Sequence, residues 1–539
     1  MIDMKIHSKD DDKKQQKIEP LNIIRETQSI CFECKSVIPA IIYEKEDKVF
    51  ISKKCPVHGD SNDLYWGDSK EYARAMKYMN DGVKLDNPRT QKKEGCPFDC
   101  GICTEHKSTT VLGIIDVTNR CNLICPICFA HAGATGYLYE PSKAQIKEMM
   151  ENLLSNKPVW TPALQFSGGE PTVREDLPEL VEMAVELGFI LIQVATNGVK
   201  MSESLDYCIE LKKAGVSNVY LQFDGVTSRP YIITRGQDLL EIKKKAISNL
   251  RKAGFRSITL VPVLIKGVND DQIGDIIQFA IKNKDVIRGV NFQPVSITGR
   301  IDNKKREEMR ITIPDLTRLT EEQTGGLIKQ SYWYPVSTVQ SFCHFLSQMK
   351  QEQFVDFNAH PLCGMGTYLE IEGEKVTPII NHLDVDKTVQ SINDANIILE
   401  KGTDTKNKLR AISHVLKNTK FKMLTRYVRN LLFKGDYLDL NVMHHNMLLI
   451  SVMHFMDLYN FDLDRVQQCL IHYATPDGRI IPFCTYNNLY RDQIEKLYSE
   501  PVEKTETIPT IDVNALLEKT SNETTIPHNT NPWVKKPGE

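Results

Sequence analysis

The chain has 539 residues, 41% of them apolar and 25% charged, with 67 basic against 70 acidic side chains and a formal charge of -3. That length suggests about three or four domains of ordinary size, and the balance of charge excludes a protein that mainly coats nucleic acid or stays unfolded by self-repulsion. The longest apolar stretch, near Met447–Met456, is interrupted by Ser451 and His454, well short of the roughly 18 residues a membrane span needs, so no transmembrane segment is expected.

In chain order, residues 1–20 are polar, lack the apolar core of a secretory signal and read as a mobile tail on a cytosolic protein. Residues 21–66 hold the alternating run AIIYEKEDKVFIS between Cys31-Phe-Glu-Cys34 and Cys55-Pro-Val-His58, which predicts a small hairpin closed by metal. Residues 67–110 contain a helix around Ser69–Asn80, a charged linker and Cys96-Pro-Phe-Asp-Cys100-Gly-Ile-Cys103. From 111 to 315 apolar runs at Val111–Val117, Ala163–Phe166, Ile190–Ala195, Asn218–Phe223, Ile258–Ile265 and Val290–Val295 alternate with helical patterns such as Lys143–Leu154, Leu177–Leu187 and Leu239–Ala253. Six such units predict an α/β fold, a partial (β/α)6 barrel of parallel strands. A mostly helical α+β region follows over 316–500, and 501–539 reads as a second tail.

Fourteen cysteines in a reducing compartment read as metal ligands or thiols rather than disulfides. Cys121-Asn-Leu-Ile-Cys125-Pro-Ile-Cys128 follows the first barrel strand, and three thiolates so spaced can hold three irons of a [4Fe-4S] cluster, leaving one iron open for chemistry. The second strand ends in Ser167-Gly168-Gly169-Glu170-Pro171, where glycines allow close backbone approach and Glu170 suits an ammonium group. A three-cysteine zinc site beside an unrelated turn is the bland alternative. Cys96, Cys100 and Cys103 repeat the spacing and suit an auxiliary [4Fe-4S] cluster whose fourth ligand is external or His106; a zinc site or a second open-iron cluster of the same kind also fits. Cys31, Cys34, Cys55 and His58 suit a tetrahedral zinc or a single iron. Cys343, Cys363, Cys469 and Cys484 can close a third cluster, the Pro476-Asp477-Gly478 turn returning Cys484 towards Cys469, or serve as core thiols. Cys208 reads as core, and His444, His445, His454 and His472 as buried, hydrogen-bonded residues of apolar helices or neighbours of Cys469. The Met443–Met456 stretch reads as core or as the lining of a tunnel for a greasy substrate.

The CxxxCxxC motif after the first strand and the Gly-Gly-Glu loop after the second resemble the radical S-adenosylmethionine (radical SAM) superfamily. The resemblance implies that Cys121, Cys125 and Cys128 carry a cluster whose open iron binds the amino and carboxylate groups of S-adenosylmethionine. It implies that Gly168, Gly169 and Glu170 meet the amino group and that backbone at Ile127 and Phe129 meets the adenine. Thr196-Asn197-Gly198, Gln222-Phe223-Asp224-Gly225, Arg235, Lys266-Gly267-Val268-Asn269 and Gln293-Pro294 then contact the ribose and methionine carboxylate, or are plain turns.

The CxxC…CPxHG unit, the doubled CxxxCxxC and the segment His472-Tyr-Ala-Thr-Pro-Asp-Gly478…Ile-Pro-Phe-Cys484 resemble the archaeal tetraether lipid synthases, first described as pterin C-methylating enzymes of methanogens. That implies hydrogen abstraction from the terminal methyls of two phytanyl chains and a new C–C bond, one chain radical waiting on a sulfur of an auxiliary cluster. The alternative within the subgroup is C-methylation of a 7,8-dihydropterin with a folate-like methyl donor; a non-enzymatic iron–sulfur relay is a third reading. An apolar cavity favours lipid, and an acidic side chain aimed at a ring favours pterin. The implied partners are a lipid or pterin substrate, a low-potential electron donor, no nucleic acid and, for lipid, a peripheral membrane contact.

Overall fold

The computed structural model describes residues 21–501 apart from 134, 302–305 and 419–446. The two expected tails, save Pro501, and His444 and His445 therefore lie outside the described residues.

The N-terminal unit is larger than a hairpin. Strands β1 (Asn22–Ile30), β2 (Val37–Lys45), β3 (Lys48–Cys55) and β4 (Gly59–Trp66) form an antiparallel meander. Glu46 and Asp47, both at positive φ, make the two-residue turn between β2 and β3, and that left-handed geometry matches the twist of a tight hairpin. Alternation places Ile38, Ala40, Ile42, Val49 and Ile51 inside with Tyr65 and Trp66, and turns Pro39, Ile41 and Phe50 to the other, more exposed face.

The central sheet carries the expected six parallel strands: β5 (Leu112–Thr118), β6 (Ala163–Gly168), β7 (Leu191–Thr196), β8 (Asn218–Gln222), β9 (Ile258–Val261) and β10 (Ile287–Pro294), side by side in chain order. Helices Lys143–Leu154, Leu177–Leu187, Leu205–Ala214, Leu240–Lys252 and Ile273–Lys282 connect them. Ser142 and Gln145 form a capping box at the first of these, and Gly188, at φ 101°, closes the second in the left-handed conformation that a side chain resists. The outward strand residues Ile115, Val117, Leu164, Phe166, Val194, Leu221, Leu260 and Val290 pack against the helices with no more than traces of exposure.

Beyond residue 316 the chain adds strands to both edges of the sheet and also forms a helical layer of its own, Gln340–Lys350, Val385–Glu400 and Thr405–Asn418 packing around Phe345, Ile392, Ala395 and Leu399. Strand β11 (Gly364–Glu372) pairs antiparallel with β12 (Met447–Met453), which itself lies parallel to β10. Strand β13 (Ile471–Ala474) lies parallel to β5 on the opposite edge and pairs antiparallel with β14 (Ile480–Pro482). Eight parallel strands thus stand in the order β12-β10-β9-β8-β7-β6-β5-β13, and residues 454–470 cross from one edge to the other. The apolar helices expected around His454 are not found in this described stretch: an apolar run as short as MLLISVM fits either element, and pairing on both flanks makes Met447–Met453 a strand. No helix among the described residues is long and apolar enough to cross a membrane.

Candidate active site

The loop after β5 is pinned by Asn119, whose side chain donates to Thr135 Oγ1 at 2.9 Å and to Tyr137 O at 2.8 Å and accepts from Tyr139 N at 3.0 Å. Beyond it Cys121, Cys125 and Cys128, all half-buried, line a cavity of about 240 Å³ together with Gly168, Gly169 and Glu170. Burial first, then the negative charges of Glu170, Cys125 and Cys128, push the Cys121 thiol up to about 12. Burial also raises Cys125, Arg235 opposing and Cys128 adding. Converging thiols whose charges raise Cys121 and Cys125 suit a metal cluster, because coordinated iron neutralises the thiolates. The donor set and the space beside it fit the [4Fe-4S] group.

The glycines serve the loop rather than opening it. A Cβ on Gly168 would lie 2.1 Å from Thr118 O, and one on Gly169 2.2 Å from Arg120 O, so only glycine lets the β6 loop lie on the cysteine loop. Gly169 N donates to Thr118 O and Glu170 N to Arg120 O. The Glu170 carboxylate is 1% exposed and accepts from Thr172 N, Thr172 Oγ1, Thr196 Oγ1 and Asn197 N. Three of these donors share Oε1 and one reaches Oε2, so the carboxylate ties the ends of β6 and β7 together at the point where it lines the cavity.

Asp224 also departs from expectation. It is fully buried, does not line the cavity, and its oxygens accept from Gln222 Nε2, Thr234 Oγ1, Arg235 Nε, Arg235 Nη2 and Val263 N, which leaves nothing for a cofactor. Its work is to hold Arg235, which does line the cavity: burial opposes the Arg235 charge, and Asp224, then Cys125, keep it protonated. Thr196 and Asn197 reach the cavity, although Asn197 Nδ2 is bound to Asn122 Oδ1 and Thr196 Oγ1 to Glu170. Lys266 and Gly267 are exposed away from the cavity, and Asn269 locks a turn through Ile265 N, Asp224 O and Val263 O. Ile127 and Phe129 line the cavity, as do Gln222, Gln293 and Pro294.

Of the floor of the cavity the sequence singled out Ser167, Gln222 and Gln293 but not Gln165 or Tyr220. Every second residue of several strands is polar and points inward: Gln165 and Ser167 on β6, Tyr220 and Gln222 on β8, Gln293 on β10. A second tier supports them, with Gln193 donating to Gln165 Oε1 at 2.5 Å, Asn218 to Gln193 Oε1 at 3.1 Å and Ser451 to Asn291 Oδ1 at 3.0 Å. Parallel strands covered on both faces are usually apolar throughout, so the polar residues at two-residue spacing within single strands, Gln165 and Ser167, Asn218, Tyr220 and Gln222, Asn291 and Gln293, were the available signal. The roof is aromatic: Phe455 of the crossing segment stacks on Phe483 at 4.0 Å, and Tyr473 on Tyr486 at 4.2 Å. The cavity therefore has an apolar cover and an amide floor, and Glu170, held by its four donors, is the carboxylate among the described residues that line it.

Three further cysteine groups surround this centre. Cys31, Cys34, Cys55 and His58 have their ligand atoms within 4.8 Å of one another, His58 Nδ1 lying 3.5 Å from the sulfurs of both Cys31 and Cys55. The Ser36 side chain and backbone draw the exposed Cys34 thiol down to about 6, which suits a thiolate ligand. Cys96, Cys100 and Cys103 line a small cavity with His106, and Cys96 and burial hold the Cys100 thiol well up. Burial first, then the charges of neighbouring cysteines, raise two further thiols, Cys363 acting on Cys469 and both of these on Cys484, and Cys484 also lines the central cavity. Cys343 does not join them: it sits in the helix Gln340–Lys350, pushed up to about 12 by burial and by the charge of Asp356. Cys208 is core, donating to Met201 O at 3.4 Å. His472 lies on β13, not on a helix, with Nε2 3.2 Å from His106 Nε2. His454 is buried with neither ring nitrogen hydrogen-bonded among the described residues, contrary to expectation.

Residues 115–280 match the Radical SAM superfamily and residues 23–67 the HMPTM N-terminal zinc ribbon domain. The fold, the cysteine loop and this match define a radical SAM enzyme, whose cofactors are S-adenosylmethionine and a [4Fe-4S] cluster, with a zinc ribbon at its N-terminal end. Over 494 residues, 89% of this chain and 96% of the relative, the sequence is 46% identical to the 7,8-dihydro-6-hydroxymethylpterin dimethyltransferase of Methanocaldococcus jannaschii, and the chain belongs to the family of that enzyme. It is also 28% identical over 218 residues, 39% of this chain and 66% of the relative, to a GTP 3',8-cyclase of Peptoclostridium acidaminophilum. The Streptococcus suis protein SuiB bound to its precursor peptide SuiA superposes with a TM-score of 0.34 at 16% identity, covering 55% of this chain and 69% of that one. The expectation that the enzyme couples lipid chains into tetraethers is overturned by the full-length relationship to a pterin dimethyltransferase.

Proposed function

We propose that this enzyme C-methylates a 7,8-dihydropterin ring by radical chemistry. The observation that carries the reading is the amide floor of the cavity beside Cys121, Cys125 and Cys128. A flat ring with polar edges satisfies such groups, whereas a hydrocarbon chain leaves them desolvated and unpaired, at roughly 1–3 kcal/mol each. The relative that matches nearly the whole chain carries a pterin substrate in its name.

In this reading Cys121, Cys125 and Cys128 hold the cluster, backbone at Ile127 and Phe129 borders the adenine, and Arg235, held by Asp224, meets the methionine carboxylate. Bound together, the cluster and S-adenosylmethionine supply a 5'-deoxyadenosyl radical that takes a hydrogen atom from a C–H bond. The aromatic roof of Phe455 and Phe483 keeps water from that cavity. Cys96, Cys100 and Cys103, and Cys363, Cys469 and Cys484, would hold auxiliary clusters, which would supply one-electron transfer from a low-potential donor.

The test is mass spectrometry after anaerobic incubation of the reconstituted enzyme with S-adenosylmethionine, a reductant, 7,8-dihydro-6-hydroxymethylpterin and a folate-like methyl donor. A pterin heavier by one or two methyl groups supports the reading. Formation of 5'-deoxyadenosine with every pterin unchanged contradicts it.

A further inference from the structure

Tyr220 stands in the middle of the cavity floor with an unusual set of partners. Its hydroxyl oxygen accepts from Asn291 Nδ2 and, at 2.9 Å, from Gln293 Nε2. The Asn291 amide is turned that way by Ser451, which donates to its Oδ1 at 3.0 Å. Two amide donors occupy the acceptor directions of the phenol, so its own hydrogen must be given elsewhere. Among the described residues no group accepts it, and Tyr220 lines the cavity.

The neighbours are committed in the same way. Gln293 spends Nε2 on Tyr220, which leaves Oε1 as an acceptor on the cavity wall. Gln165 spends Oε1 on Gln193, itself oriented by Asn218, which leaves its N–H groups as donors. The floor thus offers donor, acceptor and donor in an arrangement fixed from behind by buried side chains that touch no ligand.

We propose that Tyr220, Gln293 and Gln165 form the subsite that reads the polar edge of the substrate, and that they select a ring of the amino-oxo-pyrimidine class. The proposal rests on the methylation reading and names its specificity determinants. Such a ring carries acceptor nitrogens, an exocyclic amine and a carbonyl along one edge, which complement an O–H, an amide oxygen and an amide N–H. An alkyl substrate satisfies none of these groups, and sites built to hydrogen-bond their substrate reject analogues that cannot.

The experiment is equilibrium binding of 7,8-dihydro-6-hydroxymethylpterin to the reconstituted holoenzyme saturated with S-adenosylmethionine, in the wild type, Tyr220→Phe and Gln165→Leu. Iron content and the Kd for S-adenosylmethionine are measured on each protein to show that it is folded and loaded. The expected result is a pterin Kd raised about ten- to a hundredfold in each variant, the scale of one lost hydrogen bond to a buried polar edge, with the S-adenosylmethionine Kd held within about twofold. A wild type that binds the pterin while both loaded variants bind it equally well overturns the subsite. A wild type that binds no pterin overturns the methylation reading beneath it.

Discussion

The buried polar side chains around the cavity hold one another, and few of them are free to bind. Glu170 illustrates the point, since its four donors come from three residues on two strand ends. Glu170→Gln places an N–H₂ against donors, so we expect a loss of about 1–3 kcal/mol in stability and weaker binding of S-adenosylmethionine. Denaturant unfolding and titration with S-adenosylmethionine check this, and an unchanged unfolding midpoint would contradict it. Lys243 is fully buried, donates to Gln222 Oε1 at 2.8 Å and to Asn197 O, and is lowered by burial to about 7. An unfolded lysine titrates near ~10.4. Between these values the unfolded chain binds a proton that the folded chain does not, so stability falls as pH drops from about 10.4 to about 7 and levels off below, with a slope of up to ~1.4 kcal/mol per pH unit. Lys243→Met should flatten that slope in unfolding midpoints measured across the interval; an equal slope in both proteins would assign it to other groups. The motif residues were legible because their chemistry is local: CxxxCxxC and Gly-Gly-Glu declare themselves by spacing. Asp224 was misread because Asp-Gly looks alike whether it faces a ligand or an arginine, and only its five donors decide.

At the scale of elements, the zinc ribbon and the crossing segment 454–470 act as one piece. Asp462, fully buried, accepts from Arg25, from Tyr65 OH at 2.5 Å and from Thr27 Oγ1 at 2.8 Å; Ser29 Oγ donates to Phe461 O; Lys53 Nζ donates to Leu458 O at 2.7 Å. The ribbon thereby props the segment that carries Phe455 and Met456 over the cavity. Asp462→Ala removes the shared acceptor and should cost about 3 kcal/mol, read by chemical denaturation; a loss within error would show that the contact is idle. Cys34→Ser, or a chelator that strips the ribbon site, should lower the melting temperature and expose the buried Trp66 to water while the iron content holds. Unchanged melting after verified metal loss would contradict a structural role for that metal. The ribbon was legible as a metal hairpin but not as a four-stranded meander, because β1 and β4 carry few of the alternating apolar residues that mark β2 and β3.

For the whole molecule, the C-terminal region extends the six-unit sheet at both edges, and buried ion pairs fasten it there. Arg491 Nη1 donates to Asp116 Oδ2 on β5 at 2.6 Å and to Glu495 Oε1 at 2.8 Å, all three side chains at most 5% exposed. Arg491→Met strands two carboxylates and should destabilise by about 3–5 kcal/mol. The alternation of strand and helix revealed the six-unit core, but not the two edge strands: β12 and β13 follow no regular crossover, and their partners lie 160 and 359 positions away at Val290–Ile450 and Leu112–Ile471. Grouping Cys343 with Cys363, Cys469 and Cys484 failed for the same reason, since single cysteines carry no spacing. Three clusters predict about twelve irons per chain with zinc in the ribbon; Cys343→Ser should leave that count unchanged, and Cys484→Ser should lower it.

The central claim is that a polar ring, methylated by radical chemistry, occupies the cavity over the amide floor. The measurement that tests it most directly is mass spectrometry of the products formed by the reconstituted enzyme from S-adenosylmethionine, reductant, methyl donor and 7,8-dihydro-6-hydroxymethylpterin. The account predicts a pterin carrying one or two added methyl groups together with 5'-deoxyadenosine; 5'-deoxyadenosine beside an unaltered pterin would contradict it.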